Sequence, residues 1–490
     1  MKDIYRYILN NYHILQMNNK GMHSINCKVL VDGIYNLISN LKTAHELVPK
    51  DIQLVFINTV ERKSKYLTTD EKDYIFLDLH QIVECTWGSQ VAVRIEGDMD
   101  TVISGTDSYD KDGYKNISMS YFLYSSNKNI LKARICNCYN LADLCFSKGY
   151  VDAAIKNLCF VKAIREEIHE SKNNCNDLID KYISGNLLYE AENMGLFIFL
   201  HELTHYNIAF RKKSISGMKE YRKLVDLIRL RYENGDLSKE WRKYAKQYSY
   251  DNDIENCHIS DLFVKLKIND RYPELYQQLK INILSWKELY FDLDNWNLYS
   301  EELVCDIVAL NALIDNEKFN FFWISYIIRF LLIQETFSLQ NNLLNYIMGK
   351  EKTICSLNIK RVQLIFSALV VDYQERKKQK KWESIINYSD DENIGFEIFL
   401  EDICTSIELI HENFYLTSIK DFCKLLLSDD ILHKHINCAY YLNNISKDFV
   451  FTDDYNGKIY SKKHINSFDA ILLQNDLTEE YNNYVDFIFG

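Results

Sequence analysis

Within residues 1–127 the spacing of apolar positions changes partway along the chain. Ile4–Met17 and Val29–Leu47 carry apolar residues every three to four positions, the spacing of one buried helix face. Beyond Pro49 the period shortens towards two, which predicts strands at Gln53–Thr59 (QLVFINT), Tyr74–Leu79 (YIFLDL) and Gln90–Ile95 (QVAVRI). Ile117–Tyr124 (ISMSYFLY) is the candidate for a fourth, and together they make one small sheet. Polar Asp98–Lys115, with Gly105 and Gly113, predicts an exposed loop between two of them.

From Asn129 onward the helical period dominates. Leu131–Phe146 and Val151–Glu170 predict a helical pair about Lys148–Gly149–Tyr150. The pair resembles one tetratricopeptide unit, but no second copy follows at that period, so it reads as a plain hairpin. Further helices are predicted at Asn186–Phe210, Ser300–Ile314, around Phe319–Phe337 and at Ile359–Tyr373. More helices and a tyrosine-rich tail follow after residue 384. The chain is therefore expected to be α+β and mostly helical. Three regions are expected: mixed α/β at 1–127, a helical core at 128–375, and a helical C-terminal region at 376–490.

Composition supports that division. Only 15 glycines and 2 prolines occur in 490 residues, far too few turn formers for a β-rich protein of this size. Hydrophobic residues at 47% and charged residues at 26% fit a folded chain rather than a disordered one. A net charge of −12 argues against a whole-chain nucleic-acid binder. The one dense basic run, Glu375–Glu383 (ERKKQKKWE), is flanked by acids and reads as a solvated helix end. The 13 cysteines are odd in number and scattered, as free thiols in a reducing compartment would be. Cys136 and Cys138 form the closest pair, a weak metal signal. No signal-peptide pattern opens the chain, and the apolar run Phe319–Ile333 is interrupted by Arg329, so it reads as a buried helix. A cytoplasmic protein without a membrane or nucleic-acid partner is the expectation.

One pentapeptide carries chemistry: His201-Glu202-Leu203-Thr204-His205, within GLFIFLHELTHYNIAF. Residues four apart stack on one helix face, so both imidazoles can reach a single ion, and neutral imidazole suits Zn²⁺. Glu202 would project beside the metal-bound water and act as its general base. The flanking apolar residues bury this helix, and two buried imidazoles need partners. Core histidines bonded to other protein groups are the alternative reading.

A third ligand must come from elsewhere, because Ile208 and Arg211 stand where a metzincin would continue with Gly and His. Downstream, an E-x-x-x-D pattern occurs as Glu288/Asp292 (ELYFD) and as Glu302/Asp306 (ELVCD). The second pair opens an apolar helix on which Glu302, Cys305, Asp306 and Ala309 share a face. An ordinary reading is Ser300 as N-cap with acids in the first turn.

Through HELTH and ELVCD the sequence resembles the gluzincin metallopeptidases. That resemblance implies zinc bound by His201, His205 and Glu302, with Glu202 as catalytic base and Asp306 orienting a zinc-binding histidine. It also implies a zincin-like core, in which the motif helix lies beneath a small sheet whose edge strand aligns an extended substrate. Residues 50–375 are similar to the cytosolic bacterial peptidases of the phage-exclusion Lit type, which cut a translation elongation factor. The expected function is a zinc endopeptidase acting on a cytosolic protein, in bacterial defence or stress. The oxyanion-stabilising residue is not identifiable among 35 tyrosines, and His258 is a candidate by type alone. The competing expectation is a helical protein-interaction module with a structural or degenerate metal site. An intact Glu202 counts against it, since a structural site needs no base.

Overall fold

The computed structural model describes residues 25–41, 52–59, 62–69, 72–108, most of 131–145, 151–170, 180–211, 218–245, 270, 272–314, 320–347, 357–379, 385–386, 395–427, 451–453 and 458–460. The expected elements Ile4–Met17 and Ile117–Tyr124 lie outside the described residues, as do His258 and Cys136. The protein is α+β and mostly helical, with one small three-stranded sheet and, among the described residues of the C-terminal region expected to be helical, an antiparallel strand pair, Phe451–Asp453 with Lys458–Tyr460.

Helix α1 (Cys27–Asn40) starts where the Asn26 side chain accepts the N–H groups of Lys28 and Val29, a side-chain cap for two otherwise orphaned donors. Strands β1 (Ile52–Ile57), β2 (Lys65–Thr68) and β3 (Asp73–Asp78) follow. Their order is β1-β3-β2, with β1 parallel to β3 and β2 antiparallel to it along the edge. Successive β3 side chains face opposite ways, as the pleat requires. Ile75 and Leu77 enter the main core, while Tyr74 and Phe76 pack with Ile57 on the other face. Strand β2 (KYLT) sits among charged residues and has too few apolar positions to register as a strand in the sequence.

Helix α2 (Leu79–Ser108) begins directly after β3, capped by Asp78, whose Oδ1 accepts the His80 N–H at 3.0 Å. This corrects two expectations. Gln90–Ile95 is helical, and so is the polar segment from Asp98 to Ser108. Six alternating residues fit either period, and the helix wins because residues 79–92 are buried on several sides, Ile82, Val83, Cys85, Val91 and Ala92 among them.

The remaining helices are α3 (Val151–Glu170), α4 (Asp180–Arg211), α5 (Met218–Glu233), α6 (Asp236–Ala245), α7 (Pro273–Lys287), α8 (Trp296–Ile314), α9 (Asn320–Ile347), α10 (Leu357–Lys378), α11 (Phe396–Ile410) and α12 (Thr417–Leu427). A π-helical turn, His411–Leu416, joins the last two. Helix α8 begins four residues earlier than expected. Ser300 lies inside it, bonding back to the Trp296 carbonyl at 2.6 Å, and is not its N-cap. Helix α9 extends well past the expected apolar run. The stretch Phe321–Tyr346 is long and apolar enough to cross a membrane, yet 78% of its most apolar 18-residue window is buried inside the protein. Within it Arg329 donates to Ser406.

One apolar cluster runs from Ile25 to Cys423 and joins the helices to one face of the sheet. Helix α4 lies at its centre, packed against α1, α2 and α8, with Leu196–Leu200 all buried. A helix apolar all round is a core helix, so whatever polar groups it carries must find partners inside the protein.

Close approach of α1 to α4 generates a prediction. A Cβ at Gly195 would lie 2.4 Å from Cδ1 and 2.8 Å from Cγ1 of Ile34, which is fully buried. A Cβ at Gly33 would meet only the carboxylate end of Glu192, at 2.0 Å, which can swing aside. Gly195→Ala should lose about 1–3 kcal/mol in urea unfolding through overpacking, despite a helix-propensity gain of about 1 kcal/mol. Gly33→Ala should stay within about 1 kcal/mol of the parent, because the same gain offsets a cheap displacement. Equal losses at both sites would contradict this packing.

Candidate metal centre

Helix α4 brings His201 and His205 to one face, one turn apart, and α8 packs across that face to deliver Glu302. One ligand atom from each of the three residues falls within 4.8 Å of the others. The Nε2 atoms of the two histidines are 3.1 Å apart. The Glu302 carboxylate stands 3.4 Å from each of them, Oε2 towards His201 and Oε1 towards His205. His201 and Glu302 are buried and His205 is partly buried.

The outer nitrogen of each ring is held by a carboxylate. His201 Nδ1 is 2.9 Å from Asp306 Oδ1, and His205 Nδ1 is 2.8 Å from Glu301 Oε1. These partners assign the proton to Nδ1 on both rings and leave both Nε2 lone pairs aimed at one point. Two lone pairs and a carboxylate facing each other in a buried space repel unless a cation or a proton lies between them. That donor set suits a metal ion.

Arg361, from α10, closes the charge behind Asp306. Its Nε donates to Oδ2 at 3.0 Å and its Nη2 to Oδ1 at 2.5 Å, a two-pronged grip. Its Nε is also 3.5 Å from Glu302 Oε2. Burial works against the charge on Asp306, but Arg361 and His201 outweigh it and lower its pKa. Burial likewise disfavours the Glu302 carboxylate, yet the hydrogen bonds from His201 and His205, with Arg361, hold its pKa far below the usual range. For His201, burial and Arg361 oppose the imidazolium. Asp306 and Glu302 prevail and raise its pKa to about 9. The same two carboxylates therefore favour a cation, proton or metal, among the three donors.

Glu202 projects beside this cluster into a cleft of about 690 Å³. One wall is the strand edge at Ser64, Lys65 and Tyr66, and the other is α9 at Phe330, Gln334 and Ser338. The Glu202 Oε2 accepts the Tyr66 N–H at 3.0 Å. Burial raises the Glu202 pKa, against the pull of the two imidazoles and of that N–H. The Tyr66 ring stacks beside His205, with centroids 6.3 Å apart.

Of the residues singled out in the sequence, His201, Glu202, His205, Glu302 and Asp306 come together. The other acidic pair does not. Glu288 caps the end of α7 and Asp292 caps a 3-10 turn, so the two share no helix face. Cys305 is a buried thiol whose pKa is raised by burial, and it packs beneath the site. Arg361, Glu301 and the strand bearing Tyr66 went unrecognised in the sequence. A signal for Arg361 existed: adjacent cations, Lys360 and Arg361, in a helix buried from Asn358 to Tyr373 require acidic partners. Glu301 offered only its place beside Glu302.

No family model matches the chain, and comparisons with curated proteins and with solved structures find no match either.

Two predictions follow from this geometry. In chelator competition Glu302→Ala should abolish tight metal binding and Glu288→Ala should leave it unchanged. Asp306→Ala and Glu301→Ala should each weaken binding about 10–100-fold through the histidines they orient. A loss at Glu288 with none at Glu302 would refute the ligand set. The second prediction concerns pH. Because the His201 pKa is raised to about 9, metal uptake near neutrality must displace a proton. Apparent affinity should climb about tenfold per pH unit for each proton released and level off only above that pKa. Calorimetry in buffers of different ionisation enthalpy would measure the release. A flat profile from pH 6 to pH 9 would show that no proton is displaced.

Proposed function

We propose that this protein is a zinc-dependent endopeptidase that cleaves an extended peptide segment bound in the cleft beside β2. The observation that carries the reading is Glu202: a carboxylate in the cleft next to two convergent imidazoles and a third carboxylate, where a purely structural site would have no use for it. The antiparallel edge strand along the motif helix is the arrangement that the resemblance to gluzincins implies, and it supports the same reading.

His201, His205 and Glu302 would hold the zinc, which when bound supplies a Lewis acid for the scissile carbonyl and for the attacking water. Asp306 and Glu301 keep both rings turned with Nε2 inward, and Arg361 keeps Asp306 ionised and in place. Glu202 takes the proton from the water as its oxygen attacks the carbonyl carbon. It then returns that proton to the departing amine nitrogen, so the carboxylate is regenerated. Burial raises its pKa above the usual carboxylate range, which favours its holding the proton between the two transfers.

Glu202→Gln tests the reading, because it keeps the shape of the side chain and removes its basicity. The zinc-loaded protein and the variant are each incubated with a pool of denatured proteins, and new N-termini are identified by mass spectrometry. Metal content and thermal midpoint should match, while the parent alone generates new termini. Equal cleavage by both would remove Glu202 as base, and zinc absent from both would remove the metal.

A further inference from the structure

Glu202 is held from outside its own helix. The N–H donated to its Oε2 comes from Tyr66, 136 residues earlier in the chain, on an edge strand. Tyr66 stands opposite Ile75 of β3, while Lys65 and Leu67 stand opposite Phe76 and Tyr74. In an antiparallel pair, successive residues alternate between bonding the partner strand and pointing away from it. A residue has one N–H, and that of Tyr66 goes to Glu202. Lys65 and Leu67 are therefore the residues that bond to β3, and the Tyr66 amide points off the sheet edge into the site.

The strand is set in that position by Asp78. Its fully buried carboxylate accepts four hydrogen bonds: from the Thr59 N–H (3.2 Å), the Thr59 hydroxyl, the Lys63 N–H (3.1 Å) and the His80 N–H (3.0 Å). Ser64 completes the clamp. Its hydroxyl accepts the Asp78 N–H at 2.9 Å, and its own N–H and hydroxyl donate to Gln81 Oε1 at 2.8 and 2.7 Å. These bonds tie the chain just before β2 to the end of β3 and the start of α2. Between them Arg62 holds φ at 50°, a left-handed conformation that a non-glycine residue keeps only where its surroundings enforce it.

We propose that the Tyr66 main-chain N–H is part of the catalytic apparatus, fixing the Glu202 carboxylate, and that Asp78 is the positioning residue that puts it there. The inference rests on Glu202 acting as the base. A glutamate on a helix face can rotate about three side-chain bonds. With Oε2 bonded to a fixed amide, the carboxylate plane is set and Oε1 is turned to receive the proton. Asp78 is neither a metal ligand nor part of the cleft lining; it reaches Glu202 through β2 and through the start of α2, which it also caps, and Thr59→Val leaves that cap intact.

Two measurements test this on the full-length, zinc-loaded protein. The first is site-resolved amide hydrogen exchange. In the parent the Tyr66 amide should be protected to a degree similar to Lys65 and Leu67. In Glu202→Ala it should exchange about tenfold faster or more, with Lys65 and Leu67 unchanged. Asp78→Asn should move the Tyr66 amide in the same direction, and so should Thr59→Val, which removes one of the four donors at nearly constant shape. The second measurement compares Tyr66→Pro with Tyr66→Ala. Both lose the ring, but only proline loses the N–H, and an edge position without a ladder bond tolerates proline. Turnover of Tyr66→Pro should fall about 10–100-fold below that of Tyr66→Ala, with KM within about twofold and zinc content equal. Equal turnover of the two Tyr66 variants, or unchanged Tyr66 exchange in Glu202→Ala, would overturn the inference. Unchanged exchange in both Asp78→Asn and Thr59→Val would remove Asp78 from it. An active Glu202→Gln protein would instead overturn the peptidase reading itself, so the two failures are distinct.

Discussion

The site depends on the ion pair between Asp306 and Arg361, which offsets much of the charge buried between α4 and α8. Two imidazoles and two carboxylates lie in a region where ionised groups lose most of their hydration. A buried carboxylate is affordable only with excellent geometry and every lone pair engaged. Asp306 meets both conditions, with a two-pronged guanidinium on one side and His201 Nδ1 on the other. Removing Arg361 would leave Asp306 uncompensated, a kind of change that typically costs about 3–5 kcal/mol. The same pair fixes the His201 tautomer, so stability and chemistry share one contact.

From that contact the rest of the geometry is inherited. Helices α4, α8 and α10 are long and packed on all sides, which holds the ligand atoms better than loops would. The sheet contributes little to the core by comparison, yet its edge strand forms one wall of the cleft and reaches Glu202. A sheet edge is usually a liability, since its unpaired amides invite other chains. Here the edge faces the cleft beside the metal-ligand cluster, and its Tyr66 amide is taken up by Glu202.

Much of this was legible in the residues. The HELTH spacing required a helix with both histidines on one face, and the apolar flanks required that helix to be central, as α4 is. The scarcity of glycine and proline pointed to a helical protein. Period-two runs located β1 and β3 correctly. Where local pattern failed, tertiary packing had overridden it. QVAVRI alternates like a strand but belongs to a helix buried on several sides. KYLT has too few apolar positions to signal a strand, since hydrogen bonds to β3 rather than side-chain burial define it. Ser300 resembled a cap, but the turn at Asp292–Asn295 starts the helix earlier.

The sequence alone thus determined which residues can form a metal centre and on what kind of element, because the i, i+4 spacing is a property of the helix itself. It favoured Glu302 over Glu288 only because Glu302 opens an apolar helix, since an E-x-x-x-D string says nothing about which helix crosses which. Only the tertiary structure decided between them, by packing α8 across α4 and leaving Glu288 at a helix end. Tertiary structure also brought in Arg361, Glu301 and the Tyr66 amide, which are 55, 96 and 136 residues from the aspartate, histidine and glutamate they bond. Hydrogen bonds over such separations leave no local periodicity in the chain; they exist only once the helices and the strand have been packed together.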